Sequence, residues 1–309
     1  MNLSDTSSDK NKNFLFLILT GIILLICLIS FRLLKASSDE KLEIECLFSR
    51  NTPMGFGVLP YLSEKDLQEQ LGCIADFLSK NLERPVKINI AADYSTLGNL
   101  LDLDKVQIAW FSNSSYEHYR RGDSWEVLCR PMRDGKVYHQ GVILCRENSD
   151  IKSVNDLKGK KFAYVDRNSG TGFVYANRFF RNNGIEPIKF FGEIAFSGNH
   201  SYSFDGLLNK EYDGIAVFNN NYFNESGEIA SGTSFSGLRL LGMTPKILND
   251  PLIVRKNLKP DLKEKLRNLM INMMKFPKGP ETLAKLIKSR NYDRFASEEE
   301  VQKVFSGEE

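Results

Sequence analysis

Short apolar runs alternate along this chain with stretches whose apolar residues recur at helical spacing, and no other feature restricts the fold as tightly. Strand-like runs at residues 57–59, 86–90 and 106–111 surround a helical stretch at 67–82, where Leu67, Leu71, Ile74, Phe77 and Leu78 share one face. Strand, helix, strand is the order a parallel sheet requires, because its strands are joined only by long crossovers. Asp93-Tyr94-Ser95 opens a short helix, with Asp93 or Ser95 as its N-cap. After an apolar run at 142–146 the alternation resumes in what reads as a second lobe. Strands are predicted at 160–165, 190–196 and 214–218 and helices at 173–181 and 201–208, with Gly184 and Pro187 as stop signals. Residues 238–243 and 251–255 read as strands, and 260–276 as a helix with Leu262, Leu266, Met270 and Met273 on one face. The class is α/β. A length of 309 residues suffices for two lobes with a core each, and 42% hydrophobic against 26% charged residues is ordinary for a globular chain.

The N-terminus departs from that pattern. Residues 14–31, FLFLILTGIILLICLISF, are an uncharged and mostly apolar run. As a helix it reaches roughly 27 Å at ~1.5 Å per residue, close to a bilayer core of about 30 Å. Lys10 and Lys12 precede it, and Arg32 and Lys35 follow. Residues 1–38 therefore read as an uncleaved transmembrane anchor or as a cleaved signal helix, with Ala36-Ser37-Ser38 as a small-residue cleavage site. Both readings put the remainder on the periplasmic or extracellular face. The formal net charge of +2, with no basic stripe, argues against nucleic acid as a partner.

Cys27 lies inside the apolar run, and the spacings of Cys46, Cys73, Cys129 and Cys145 match no metal motif. Cys129 and Cys145 flank the turn-like Met132-Arg133-Asp134-Gly135-Lys136, and a hairpin centred near Val137 would set them opposite each other. Buried free thiols are the simpler reading; an oxidising compartment leaves a disulfide open.

Three strand-to-helix junctions carry the chemistry. The first, Asp166-Arg167-Asn168-Ser169-Gly170-Thr171-Gly172-Phe173, follows a strand and opens a helix. A first helical turn leaves N–H donors without intrahelical partners, and the macrodipole adds roughly half a positive charge there. Two glycines let an oxyanion approach the backbone, and Ser169 and Thr171 add hydroxyls, which suits a phosphate-like anion; an ordinary N-cap loop is the alternative. The second junction is Ser197-Gly198-Asn199-His200-Ser201, where His200 is either a structural histidine or a donor to an oxyanion. His118 lies in a polar helix at 116–121, and His139 lies beside the turn. The third, Trp110-Phe111-Ser112-Asn113-Ser114-Ser115-Tyr116, either caps a helix or faces the ligand. No Gly-x-Ser-x-Gly elbow, Walker loop or His-Glu-x-x-His motif occurs, so donors without a nucleophile favour binding over turnover.

At these junctions the chain resembles the substrate-binding proteins of phosphate/phosphite/phosphonate ABC transporters. The resemblance runs in order over about residues 56–256. It rests on Ala92-Asp93-Tyr94, Gln107-Ile108-Ala109-Trp110-Phe111, Asp134-Gly135-Lys136-Val137-Tyr138 and Asp156-Leu157-Lys158-Gly159-Lys160. It continues with Ser169-Gly170-Thr171-Gly172, Phe196-Ser197-Gly198-Asn199-His200, Tyr212-Asp213-Gly214 and Asn249-Asp250-Pro251. The Asp-Leu-Lys-Gly-Lys segment is shared by many binding proteins of this fold, and the Ser-Gly-x-His junction is the more specific part.

The resemblance implies a two-lobed periplasmic-binding-protein type II fold with two crossover segments and a ligand cleft between the lobes. Lobe 1 would comprise 41–146 with 245–309, and lobe 2 would comprise 147–244. The family's anion grip falls on Ser169, Gly170, Thr171 and Gly172, with Gly170 replacing a threonine and so lacking one hydroxyl. The family histidine falls on His200, the cleft aromatics on Tyr94 and Tyr138, and a cleft carboxylate on Asp250. A second carboxylate, used by members that hold an aminoalkyl phosphonate, would fall near the uncharged Asn220. The implied role is the extracytoplasmic solute-binding component of an ABC importer. It would hold a small phosphorus oxyanion such as phosphite, phosphate or methylphosphonate, with the ABC permease as partner and the membrane reached through the N-terminal helix. No catalytic residue, metal or cofactor is implied. The rival is a membrane-anchored sensory or regulatory module that binds the same anion without transport.

Overall fold

The strand β1 (Met54–Val58) is buried at all five positions, as a parallel strand covered on both faces should be. It pairs in parallel with β2 (Val86–Ile90) on one side and β3 (Ile108–Trp110) on the other. The computed structural model describes residues 18–24, 26, 52–120, 122–219 and 237–307, and Pro53–Glu309 forms one compact unit. Between β1 and β2 runs α1 (Glu64–Leu82), whose Leu67, Leu71, Ile74, Phe77 and Leu78 are buried. Burying each such side chain stabilises by about 1.5–3 kcal/mol. Ser63 caps the helix, its hydroxyl accepting from the Asp66 N–H at 3.2 Å. The helices α2 (Thr96–Asp102) and α3 (Asn113–Tyr119) follow β2 and β3.

Two sheets organise the rest into two lobes. The remaining strands are β4 (Trp125–Arg133), β5 (Tyr138–His139), β6 (Gly141–Arg146), β7 (Lys161–Tyr164), β8 (Glu193–Phe196), β9 (Gly214–Phe218), β10 (Leu238–Met243), β11 (Ile247–Leu248), β12 (Leu252–Arg255) and β13 (Tyr292–Ala296). The first sheet has the order β13-β4-β12-β3-β1-β2 and the second β10-β6-β9-β7-β8. In the second, β7 pairs in parallel with both β8 and β9. Its helices are α4 (Tyr175–Asn182), the short α5 (Pro187–Phe190) and α6 (His200–Leu208). The chain passes between the sheets twice, and the two passages pair as a two-stranded antiparallel ribbon, Ile247 opposite His139 and Leu248 opposite Tyr138. The C-terminal segment adds α7 (Pro260–Ile271), α8 (Gly279–Arg290) and α9 (Glu298–Ser306), and its β13 becomes the edge strand beside β4.

Several details differ from the sequence reading. β6 lies in the second sheet between β10 and β9, so the chain has left the first sheet before Gly141 rather than after residue 146. The crossing takes place on β5, too short to betray itself by periodicity. The Asp134-Gly135 turn does form, with Arg133 and Lys136 exchanging N–H···O=C bonds of 2.9 and 2.7 Å. Asp134 and Gly135 have φ of 47° and 71°, the pair of left-handed residues that an Asp-Gly turn supplies. The strands beyond it diverge into different sheets, so Cys129 and Cys145 are not opposed and both are buried free thiols. Burial pushes the Cys129 thiol far up from its ordinary pKa. The helix read at 173–181 begins as a wide turn over Gly170–Val174 before α4, and the strand read from 190 is α5 followed by β8. Residues 18–24 and 26 are helical. Among the described residues no helix is long and apolar enough to cross a membrane; the greater part of the 14–31 run, with Cys27, and also Cys46, lies outside the described residues.

Candidate functional site

Parallel strands collect their carboxyl ends on one edge of a sheet, and both sheets turn that edge to the same cavity. Leu59 and Tyr61 follow β1, Tyr94 follows β2, and Phe111 to Asn113 follow β3; across the cavity Ser169 to Thr171 follow β7, His200 follows β8, and Phe218 ends β9. The cavity measures about 140 Å³.

On the second-lobe side, Ser169 is almost wholly buried, and its hydroxyl accepts from the Gly172 N–H at 3.1 Å. That N–H is thereby used in capping, and Gly172 does not reach the cavity wall, unlike Ser169, Gly170 and Thr171. Gly170 packs against the other lobe so closely that a Cβ on it would lie 3.1 Å from the Ser114 hydroxyl. A larger residue there would crowd the lobe contact. His200 starts α6 and is buried; the Phe218 N–H donates to its Nδ1 at 3.3 Å. A ring accepting at Nδ1 keeps its proton on Nε2 when neutral, so His200 is set as an Nε2–H donor.

On the first-lobe side, Tyr94 is buried beside the opposite lobe; burial pushes its phenol well above the ordinary tyrosine range, so it stays neutral. The Asn113 N–H donates to Asp250 Oδ1 at 2.9 Å. Asn113 Oδ1 in turn accepts from Arg130 at 2.8 Å, and Arg130 is held by Glu298 of α9 at 2.6 Å. Ser112 caps α3, accepting from the Ser115 N–H at 3.1 Å, while the Ser114 and Ser115 hydroxyls each donate to the Asn168 carbonyl of the other lobe at 3.0 Å. The third junction is thus a cap and a bridge between lobes at once. His200 bridges as well, its N–H donating to the Tyr61 carbonyl at 2.9 Å.

Of the residues singled out in the sequence, Tyr94, Ser169, Gly170, Thr171, His200 and Asp250 meet on one cavity. Tyr138 does not: it packs under Lys246 and Lys136, whose ammonium groups lie 4.2 and 6.0 Å from its ring centroid. Successive side chains of a strand point to opposite faces, so β5 turns His139 to the cavity and Tyr138 away. Asn220 lies outside the described residues. Asn249 donates to the Pro131 and Lys136 carbonyls, which orients its amide oxygen 3.2 Å from His139 Nδ1, so that nitrogen carries the proton. The sequence reading missed His139, Phe218, Tyr292 and Arg133 as cavity residues. Arg133 sits within the marked turn, where it looked like a solvated charge, and Tyr292 belongs to a tail whose strand was not recognised.

Residues 56–299 match the profile of a family described as "ABC transporter, phosphonate, periplasmic substrate-binding protein". The chain is 26% identical over 240 residues to the phosphonates-binding periplasmic protein of Escherichia coli K12, covering 75% of this chain and 70% of that one. It is 24% identical over 247 residues to a probable ABC transporter phosphite-binding protein of Prochlorococcus marinus MIT 9301, covering 74% and 79%. The fold superposes on the crystal structure of PhnD1 from that Prochlorococcus strain in complex with methylphosphonate with a TM-score of 0.67 at 20% identity, covering 82% of this chain and 96% of that one.

Proposed function

Because the chain belongs to the family of periplasmic phosphonate-binding proteins of ABC transporters, we propose that it captures a phosphite, phosphate or methylphosphonate-like anion between its two lobes and delivers it to a permease. The observation that carries this is the wall formed by Ser169, Gly170, Thr171 and His200, with His200 Nδ1 already occupied by the Phe218 N–H. Backbone N–H groups at 170 and 171, the Thr171 hydroxyl and His200 Nε2–H give the phosphorus oxygens charge-assisted hydrogen bonds. Tyr94, buried and neutral, lines the opposite side. Size supports the same reading, since a cavity near 150 Å³ takes one benzene, about the bulk of methylphosphonate.

The site binds and does not turn over. His200, with Nδ1 accepting from the Phe218 N–H and Nε2 carrying the proton, is set to donate to a ligand rather than to take a proton from Ser169 or Thr171. The protein works outside the cytoplasm, where its family operates. Residues 1–38 act there as tether or cleaved leader, which N-terminal sequencing of the mature protein decides. Isothermal titration with phosphite, phosphate, methylphosphonate and sulfate tests the assignment: saturable binding of a phosphorus anion supports it, and no heat from any of the three overturns it.

A further inference from the structure

Among the described residues lining the cavity, Arg133 brings the only permanent cation and Asp250 the only carboxylate. Arg133 comes from the end of β4 and is 5% exposed. Its guanidinium carbon lies 4.5 Å from the ring centroids of both Phe218 of the second lobe and Tyr292 of the first. Its Nη2 donates to the Tyr292 hydroxyl at 2.9 Å. An always-ionised group buried between two aromatic residues and tied to one of them by a hydrogen bond stays in the cavity wall and keeps its charge. Phe218 also donates its N–H to His200 Nδ1, so the cation stands one aromatic residue away from the proposed anion grip.

We propose that Arg133 is a specificity-determining residue of the cleft, admitting phosphonates whose substituent is neutral or anionic and rejecting those that carry an ammonium. The proposal rests on the anion-binding reading above and names the class of ligand that reading leaves open. A phosphorus dianion gains from Arg133 at short range in a desolvated pocket, where charges act far more strongly than in water. A ligand ammonium meets both fixed charges: Asp250 attracts it and Arg133 repels it, so nothing net offsets the loss of its hydration. Asp250 is also engaged, its Oδ1 accepting from the Asn113 N–H. His200, its Nδ1 taken by the Phe218 N–H and its Nε2 protonated, adds no acceptor for an ammonium proton, and the His139 Nε2 is a neutral acceptor that cannot offset the charge.

The test is competition titration on the full chain with methylphosphonate, phosphonoacetate and 2-aminoethylphosphonate, the last two being similar in length with tails of opposite charge. The wild type should bind 2-aminoethylphosphonate at least about tenfold more weakly than phosphonoacetate. Arg133→Gln should shrink that ratio by about tenfold, while Arg133→Lys should hold it within about threefold of wild type. An unchanged ratio in a folded Arg133→Gln, or a wild type that prefers 2-aminoethylphosphonate, overturns the proposal. If Arg133→Gln does not fold, the wild-type ratio and its retention in Arg133→Lys decide alone. Methylphosphonate binding with unaltered selectivity defeats only the role of Arg133. A wild type that binds no phosphorus anion defeats the binding reading and this proposal together.

Discussion

His200→Ala removes one neutral donor from a wall whose other donors are backbone and hydroxyl groups. Loss of a hydrogen bond to a charged ligand should weaken anion affinity by about 1.5–3 kcal/mol. The deficit should already be present at pH 8 in calorimetry, because Nε2–H donates without the ring being protonated. Gly170→Ala places a methyl 3.1 Å from the Ser114 hydroxyl, so it should weaken ligand binding several-fold, and adding Ser114→Ala should recover most of the loss. A double-mutant cycle should return a coupling above about 0.5 kcal/mol, the mark of residues in contact; strict additivity would show that the lobe contact at Gly170 is slack. At this scale the junctions pointed to Ser169, Thr171 and His200 and the resemblance to Tyr94 and Asp250, and all five line the cavity. Tyr138, placed in the cleft by the resemblance, lies off the cavity, because which neighbour on a strand faces it depends on a register invisible before β5 is placed against β11. Arg133 escaped notice because a charge in a turn is ordinarily solvated, and only the divergence of the chain after Lys136 buries it.

At the scale of elements, helix ends carry measurable stability. The Asp93 carboxylate accepts from the N–H groups of Ser95 and Thr96 at 2.9 and 2.8 Å and from both hydroxyls, anchoring the start of α2. The side-chain bonds from Ser95 and Thr96 hold its pKa below the ordinary 3.8. A depressed carboxylate stabilises the fold above its unfolded pKa, and that contribution fades as pH falls through the lower folded value. Asp93→Ala should therefore cost about 1 kcal/mol at pH 7 in urea unfolding. The gap to wild type should close as the pH drops from about 4 downward; a gap that stays constant to pH 2.5 would exclude the ionised cap. Long elements such as α1, and strands with a solid apolar run such as β9, were legible because burial writes its period into the sequence. The wide turn at Gly170–Val174 and the edge strand β13 were not, since the first packs against α3 of the other lobe, a contact no local pattern announces, and the second alternates too briefly to stand out.

At the level of the whole molecule, closure and stability are linked through the ligand. A ligand that binds only the folded form at one hundred times its Kd adds about 2.7 kcal/mol. For a unit of this size that raises Tm by roughly 5–10 °C. Methylphosphonate should produce such a shift in calorimetric melting, and no shift at saturating concentration would contradict binding to the native state. The two-lobed plan was legible from the repeated alternation before and after residue 146, although the sheet membership of β6 was not. The paired passages between lobes, β5 against β11, also bear on mechanics. Two tethers lying side by side and hydrogen-bonded to each other resist twisting and sliding, leaving bending about the ribbon as the soft deformation. Opening then has a single degree of freedom, so one inter-lobe distance, followed by a pair of spin labels, is enough to map the whole trajectory.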